Sequence, residues 1–281
     1  MLADVADIRD AVDGGQTWTG LMRRQGPPLT AGIWADLSYG AGIPVANYYA
    51  ASPLAAAILE SRDGIDLGPV PAAGLTRYLR GVTMLPHAQI NNYQIIDVCQ
   101  FYPFVGGDDG AQDTLPGPQF TRYNGGEGCS VMVVSQGVGL GVSDVRLTYT
   151  SCDGTTGLQA IGSVNFAATA GSLGSSFASA SGVNVPCGPF LPRANGCRGV
   201  RSIQNIEPLS GVGGTAAFVI VKPLLSFGSL LASTAPIEVD TFHERTLRMA
   251  EIGPGAYLSM LMQSQAAGAP SVLAEITNVW M

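Results

Sequence analysis

Between residue 81 and the C-terminus, short runs of Val, Ile, Phe and Tyr are broken at near-regular intervals by glycine-rich punctuation, and no helical pattern lies between them. Apolar runs of strand length bounded by Gly, Asn and Asp read as β-strands joined by tight turns. Tyr93 to Val105 ends at Gly106-Gly107-Asp108-Asp109-Gly110, Phe120 to Tyr123 stops at Asn124-Gly125-Gly126, and Cys129 to Ser135 reads as a buried strand. Asp144 to Thr150 alternates, with Val145, Leu147 and Tyr149 on one side and Arg146 and Thr148 on the other, the period of a strand with one buried face. Asp153-Gly154 makes a hairpin turn and Leu158 to Phe166 returns. Val200 to Ile206, Thr215 to Val221, Ile237 to Phe242, Ala256 to Met262 and Ser271 to Trp280 complete a set of about ten strands. Residues 167 to 182, rich in Ala, Gly and Ser, read as a surface loop or weak edge, and Lys222-Pro223 cuts short the apolar run that begins at Gly214. Strands with no helices between them argue against a βαβ fold and predict a mainly β chain, an antiparallel β-sandwich of jelly-roll-like type.

The first 80 residues follow another pattern and are expected to be largely irregular, an N-terminal arm or docking region ahead of a β-sandwich domain at 81–281. Residues 2 to 13 predict a short amphipathic helix, with Leu2, Val5, Ile8 and Val12 on one face, Asp4, Asp7, Arg9 and Asp10 on the other, and Gly14-Gly15 as its stop. Its acidic face is either solvated or pairs with basic groups on a neighbour. A second short segment with Trp18 and Arg23-Arg24 leads into a linker at Gly26-Pro27-Pro28. Trp34, Tyr39, Tyr48 and Tyr49 then make this region unusually aromatic for a chain with 7% aromatic residues. They either fill a local core or face a partner. Aromatic residues and arginine are the side chains most often found at interface hot spots. Trp18, Arg23, Arg24, Trp34, Tyr48 and Tyr49 are therefore the candidate interaction residues.

Composition narrows the function classes. Charged residues make up 12% of the 281-residue chain, against about 25% in ordinary globular proteins. So uncharged a surface is either hidden in an interface or covered by neutral polar groups. The net charge is −7, with one lysine, Lys222, among fourteen basic residues and no strong basic cluster, which argues against phosphate-backbone binding. No run of about 20 apolar residues suggests a membrane helix. The acidic first residues lack the positive start and apolar run of a secretory signal. Five cysteines, Cys99, Cys129, Cys152, Cys187 and Cys197, show no CxxC spacing and are expected as reduced, buried thiols, with a Cys187–Cys197 pair as the alternative.

Candidates for chemistry are few. His243, in Asp240-Thr-Phe-His-Glu244, could act with Asp240 or Glu244, but no GxSxG elbow supplies a nucleophile, and His87 has no better partner. Gly137-Val-Gly-Leu-Gly141 precedes a strand and not the helix that a phosphate loop opens, so it reads as a hairpin loop. Asp108, Asp109 and Asp113 read as an acidic turn without EF-hand spacing, a weak calcium site being the alternative. No zinc spacing is present. The expectation is a protein that is not an enzyme, with no cofactor and no metal; a carbohydrate-active jelly roll is the enzymatic alternative.

Four stretches together resemble structural proteins of tailed bacteriophage virions: Gly32-Ile-Trp-Ala-Asp-Leu-Ser-Tyr39; Asn47-Tyr-Tyr-Ala-Ala-Ser-Pro-Leu54; Gly188-Pro-Phe-Leu-Pro192 with Gly199-Val-Arg-Ser-Ile203; and Ala235-Pro-Ile-Glu-Val-Asp240. The resemblance runs in patches from about residue 32 to the C-terminus. It implies a head-associated or decoration-type virion component, made in many copies, assembled in the host cytoplasm, and bound to the major capsid protein or other virion proteins. A closed homo-oligomer is expected, a trimer being favoured. A tail, neck or receptor-binding protein is the alternative.

Overall fold

The computed structural model describes residues 5–28, 30–85, 91–108, 110–180, 183–186, 188–229, 236–241, 249–265 and 267–281. The strands, in chain order, are β1 (Thr17–Gln25), β2 (Trp34–Asp36), β3 (Gly42–Ile43), β4 (Arg77–Leu85), β5 (Asn91–Gly106), β6 (Gln112–Asp113), β7 (Ser130–Gly137), β8 (Val142–Ser151) and β9 (Leu158–Asn165). They continue as β10 (Phe177–Ala180), β11 (Val183–Pro186), β12 (Val200–Pro208), β13 (Thr215–Gly228), β14 (Ile237–Asp240), β15 (Ala250–Ile252), β16 (Leu258–Ser264) and β17 (Ser271–Trp280). Helix α1 spans Val5–Asp13. The named strand pairs are all antiparallel, as the turn-punctuated sequence predicts.

A five-stranded central sheet, β2-β16-β5-β13-β7, organises the molecule. One of its faces is covered by two sheets. The six-stranded sheet, β14-β4-β17-β1-β3 with β15 beside β4, encloses a core of Met22, Leu79, Val82, Met84, Tyr93, Ile95 and Ile276 among others. The four-stranded sheet, β6-β12-β8-β9, encloses a second core around Tyr102, Val131, Val145, Leu147, Tyr149, Ile206 and Phe218. The other face of the central sheet buries Ile96, Val98, Phe101, Met132, Val134 and Val219.

Two irregularities in β5 let one strand serve both cores. Strict alternation would put Tyr93 and Tyr102 on opposite faces. The β13–β5 register slips between Ile220 and Val221, opposite Gln100 and Val98, and again between Ala216 and Phe218, opposite Val105 and Tyr102. Each extra residue reverses the parity of the side chains that follow. Cys99, Tyr102 and Val105 therefore face the same way as Tyr93 and Ile95.

Several expectations need correction. Thr17–Gln25, read as a segment and linker, is a strand that pairs residue for residue with β17, from Thr17↔Val279 to Gln25↔Ser271. Arg77–Leu85 is a strand between β17 and β14 that sequence periodicity does not reveal. Phe120 to Tyr123 is no strand. Tyr123, Asn124 and Gly125 all have left-handed backbone, with φ of 55°, 51° and 72°. Lys222-Pro223 does not end its run: β13 continues to Gly228, and Pro223 falls beyond the last residue paired with β7, where a missing N–H costs no ladder bond on that side. Residues 167 to 182 include β10, which pairs with β11. In α1 the face turned inward carries Ile8 and Ala11, against Met249 and Val279, while Val12 is exposed. Leu2 and Asp4 lie outside the described residues.

Candidate functional site

The segment Leu37–Leu59 contains no Asp, Glu, Lys or Arg; its Tyr39, Tyr49, Ala51, Ala57 and Leu59 pack into the core on the second face of the central sheet, and its Leu54, Ala56 and Ile58 into the core around Phe218. Backbone bonds fix it along β5: Ala57 and Phe101 exchange amide hydrogen bonds of 2.9 and 2.8 Å, and the Leu54 amide donates to the Pro103 carbonyl at 2.9 Å. The Leu115 amide donates to the Leu54 carbonyl at 2.9 Å and extends the layer to residues 114–119. Gln136 on β7 ties the pieces together. Its Oε1 accepts from the Phe104 amide at 2.8 Å, and its Nε2 donates to the Tyr48 carbonyl at 3.2 Å and the Tyr49 carbonyl at 3.3 Å.

Three residues of this layer, Tyr49, Leu54 and Phe104, have φ of 51°, 58° and 57°. Left-handed backbone costs an L-residue roughly 1–2 kcal/mol, so it persists only where surrounding contacts require it. The consequence is a sorting of side chains. Tyr49 turns fully inward. Ile43, Val45, Tyr48, Phe104 and Leu115 turn outward, with exposures of 60, 82, 54, 39 and 53%. The rings of Tyr39 and Tyr48 meet edge-on, with centroids 5.2 Å apart. The segments that build the face, 37–59, 98–107, 114–121 and 128–143, hold no Asp, Glu, Lys or Arg at all. Arg23, paired opposite Ile43, and Asp113, two residues before Leu115, stand at its margins.

The candidate interaction residues divide between surface and interior. Tyr48 belongs to the exposed face and Arg23 to its margin. Tyr49 lies beneath it and donates its hydroxyl to Asp36 Oδ2. Arg24 is buried, donating from Nη1 to the Gly40 carbonyl and from Nη2 to the Val45 carbonyl, each at 2.9 Å, so it holds the layer from inside. Trp34, half-buried on β2, packs against the same core as Tyr49. Trp18 stands apart near the start of β1, where its ring leaves no room for a Cβ on Gly68. Sequence reasoning does not single out Ile43, Val45, Phe104, Leu115 or Gln136. For Ile43 and Val45 the signal is there as the charge-free run from Leu37 to Leu59.

Two buried carboxylates are consumed by the fold. Asp36 caps the 3-10 turn Leu37–Tyr39, its Oδ1 accepting from the Ser38 amide at 2.8 Å and from Ser259 Oγ at 3.3 Å, and desolvation raises its pKa. Asp97 accepts at Oδ1 from the Tyr257 amide (2.9 Å) and Arg122 Nη2 (3.2 Å), and at Oδ2 from the Tyr123 hydroxyl (2.9 Å). Arg122 Nε lies 2.9 Å from Oδ2 as an ion pair, without the alignment of a hydrogen bond. Burial pushes the Asp97 carboxyl up to about 6, and Arg122 draws it partly back. The Lys222 ammonium lies 5.2 Å from the Tyr123 ring centroid and donates to the Glu127 carbonyl at 2.7 Å. This cluster borders a cleft of about 1830 Å³ whose described lining includes Asp7, Thr76, Tyr123, Lys222 and Glu251. Each Asp97 oxygen faces protein donors, an arrangement that locks a turn in place and leaves no lone pair directed at the cleft.

His87, His243, Glu244, Asp109 and Cys187 lie outside the described residues. Cys99, Cys129, Cys152 and Cys197 are free thiols. Gly137 to Gly141 connects β7 to β8, which lie in different sheets and do not pair, so it is a crossing between sheets and not the expected hairpin loop. Among the described residues no helix is long and apolar enough to cross a membrane.

No family model matches the chain, and no curated protein matches it. Among solved structures it is similar to the infectious bursal disease virus VP2 subviral particle, with 10% identity over 94% of this chain and 80% of that one and a TM-score of 0.15. A structure of the Gx strain of the same virus gives 9% identity over 94% and 79%, with a TM-score of 0.16. T=1 particles derived from that virus give 11% identity over 94% and 77%, with a TM-score of 0.15. Superpositions at this level carry no argument about fold or function.

Proposed function

We propose that this chain is a non-enzymatic structural component of a virion, present in many copies, that binds the capsid and stabilises or decorates it. The observation that carries the reading is the outward charge-free face with Val45, Tyr48 and Phe104 exposed. Charge depletion with aromatic enrichment is the compositional mark of an interface core, and a monomer rarely leaves such a patch uncovered. The sequence resemblance to structural proteins of tailed bacteriophage virions supports the virion and its phage setting, with the major capsid protein as the expected partner and assembly in the host cytoplasm. The antiparallel sandwich agrees with a structural role without requiring it.

Quantitative mass spectrometry of purified particles tests the reading. The expected result is a copy number comparable to that of the shell subunits. A handful of copies per particle would favour a tail, neck or receptor-binding protein, and absence from washed particles would overturn the virion assignment. Catalysis has its own test: turnover on a polysaccharide panel, abolished by changing a single Asp or Glu, would contradict the non-enzymatic reading.

A further inference from the structure

We infer that helix α1 is a releasable strap, which leaves the body by turning about Gly14-Gly15 while the sheets stay folded. Nine residues are too few for a helix to be stable alone, so Val5–Asp13 depends on what it packs against. It packs against little. Among residues 6–13 only Ile8 and Ala11 are buried, and they meet Met249 and Val279. The backbone bonds that cap the helix run from the Gly14 amide to Asp10, from Gly15 to Val12 and from Gln16 to Ala11, so they close within the segment itself. Charge also works against the helix. Its last turn holds Asp10 and Asp13 and no basic residue, at the negative end of the helix dipole. The Arg9–Asp10 pair is exposed and lies within the helix, so it adds no tie to the body.

The boundary between strap and body is sharp. The Gln16 carbonyl accepts the Trp280 amide at 3.1 Å, and from Thr17 onward the chain pairs residue for residue with β17. Just before that anchor stands Gly15, with φ of 68° and nothing within 4 Å of where a Cβ would stand, so the chain can redirect itself there at little steric cost. Release uncovers Met249 and Val279. It also takes Asp7, Asp10 and Ala11 out of the lining of the cleft beside Tyr123 and Lys222, so the strap is a movable wall of that cleft. A segment with few buried apolar contacts opens locally, at a lower free energy than the sheets beneath it.

Hydrogen exchange of the full-length protein, read by mass spectrometry with and without sub-denaturing urea, tests the inference. Amides of residues 5–16 are expected to be protected by less than about a thousandfold, with rates that urea barely changes. Amides of β17 should be far better protected and respond steeply to urea, because exposing them exposes the core. Ile8→Val should speed exchange in α1 roughly threefold to tenfold. Asp13→Arg should slow it roughly twofold to fivefold by complementing the dipole. Hydrogen peroxide reads the face that release uncovers. Met249, 8% exposed and packed against α1, should form its sulfoxide faster in Ile8→Val and more slowly in Asp13→Arg, whereas Met260, buried under the central sheet, should stay reduced. Equal protection and an equal urea response in α1 and β17 would mean that the helix opens only when the whole molecule unfolds, and would overturn the inference. Oxidation of Met249 at one rate in wild type and both variants would overturn it as well.

Discussion

Asp97 has no exposed surface and holds a cation, a backbone amide donor and a phenol around one carboxylate. Desolvation outweighs those partners and lifts the group to about 6; Asp36 is raised for the same reason. An acid whose folded pKa lies above its unfolded value holds its proton longer in the native state. Between roughly pH 4 and pH 6 the native state therefore carries protons that the unfolded chain has released, so stability falls as pH rises across that window and is level above it. Urea denaturation at about pH 4.5 and pH 7 checks the sign, with wild type expected to gain on the order of 2 kcal/mol from Asp97 at the lower pH. The exposed Asp153, held at about 2 by Ser151 and Thr155, titrates below the window and does not mask the effect. In Asp97→Asn the difference should shrink. At pH 7 that variant leaves Arg122 buried beside no counter-charge, and a loss of about 3–5 kcal/mol is expected.

At the scale of elements, the left-handed turn at Tyr123–Gly125 is held by a few named bonds, and the strand β1 by its pairing along the whole of β17. Two non-glycine residues in left-handed backbone cost roughly 1–2 kcal/mol apiece, and the Tyr123 hydroxyl offsets this by donating to Asp97 and accepting from the Gly253 amide at 3.1 Å. Tyr123→Phe should lose about 1–3 kcal/mol, and hydrogen exchange should accelerate at residues 123–128 before any global change. Truncation separates α1 from β1. Removing residues 1–13 uncovers Ile8, Ala11 and their partners, worth roughly 2–4 kcal/mol, and a folded protein with a lowered melting temperature is expected. Removing residues 1–25 also strips one of its two neighbours from the whole of β17, exposing that edge, and takes Met22 out of the core, so soluble folded protein should be lost. A truncation at residue 30 would therefore report on folding and not on docking. These elements also show where the sequence is legible. β8 reads plainly because Val145, Leu147 and Tyr149 alternate with polar residues. β1 does not, because its inward residues are Gly20, Met22 and Arg24, and Arg24 is buried by giving its donors to carbonyls. β4 hides because its buried Leu79 and Val82 are three residues apart, across an irregularity in its pairing with β17. Of the charge-free face, the missing charge is visible in the sequence, but which of Tyr48 and Tyr49 turns outward depends on one left-handed residue.

For the molecule as a whole, the decisive element is the long central pair β5 and β13. The same two strands supply Tyr93, Ile95 and Leu225 to one core, Tyr102, Phe218 and Ile220 to the second, and Ile96, Phe101 and Val219 to the layer beneath the charge-free face. Neither core can open while the other keeps both strands ordered along their length, so the sandwich should unfold as one unit and not core by core. The tryptophans make this measurable. Trp18 and Trp280 lie in the six-stranded sheet and Trp34 on the edge strand β2, so none sits in the core around Phe218. Phe218 is fully buried in that distant core, and Phe218→Ala should cost about 3–5 kcal/mol. If the cores are coupled through β5 and β13, tryptophan fluorescence and far-UV circular dichroism will show one coincident urea transition, displaced by the full amount in the variant. A tryptophan transition that stays at its wild-type midpoint while the dichroism signal splits would show two independently folding halves.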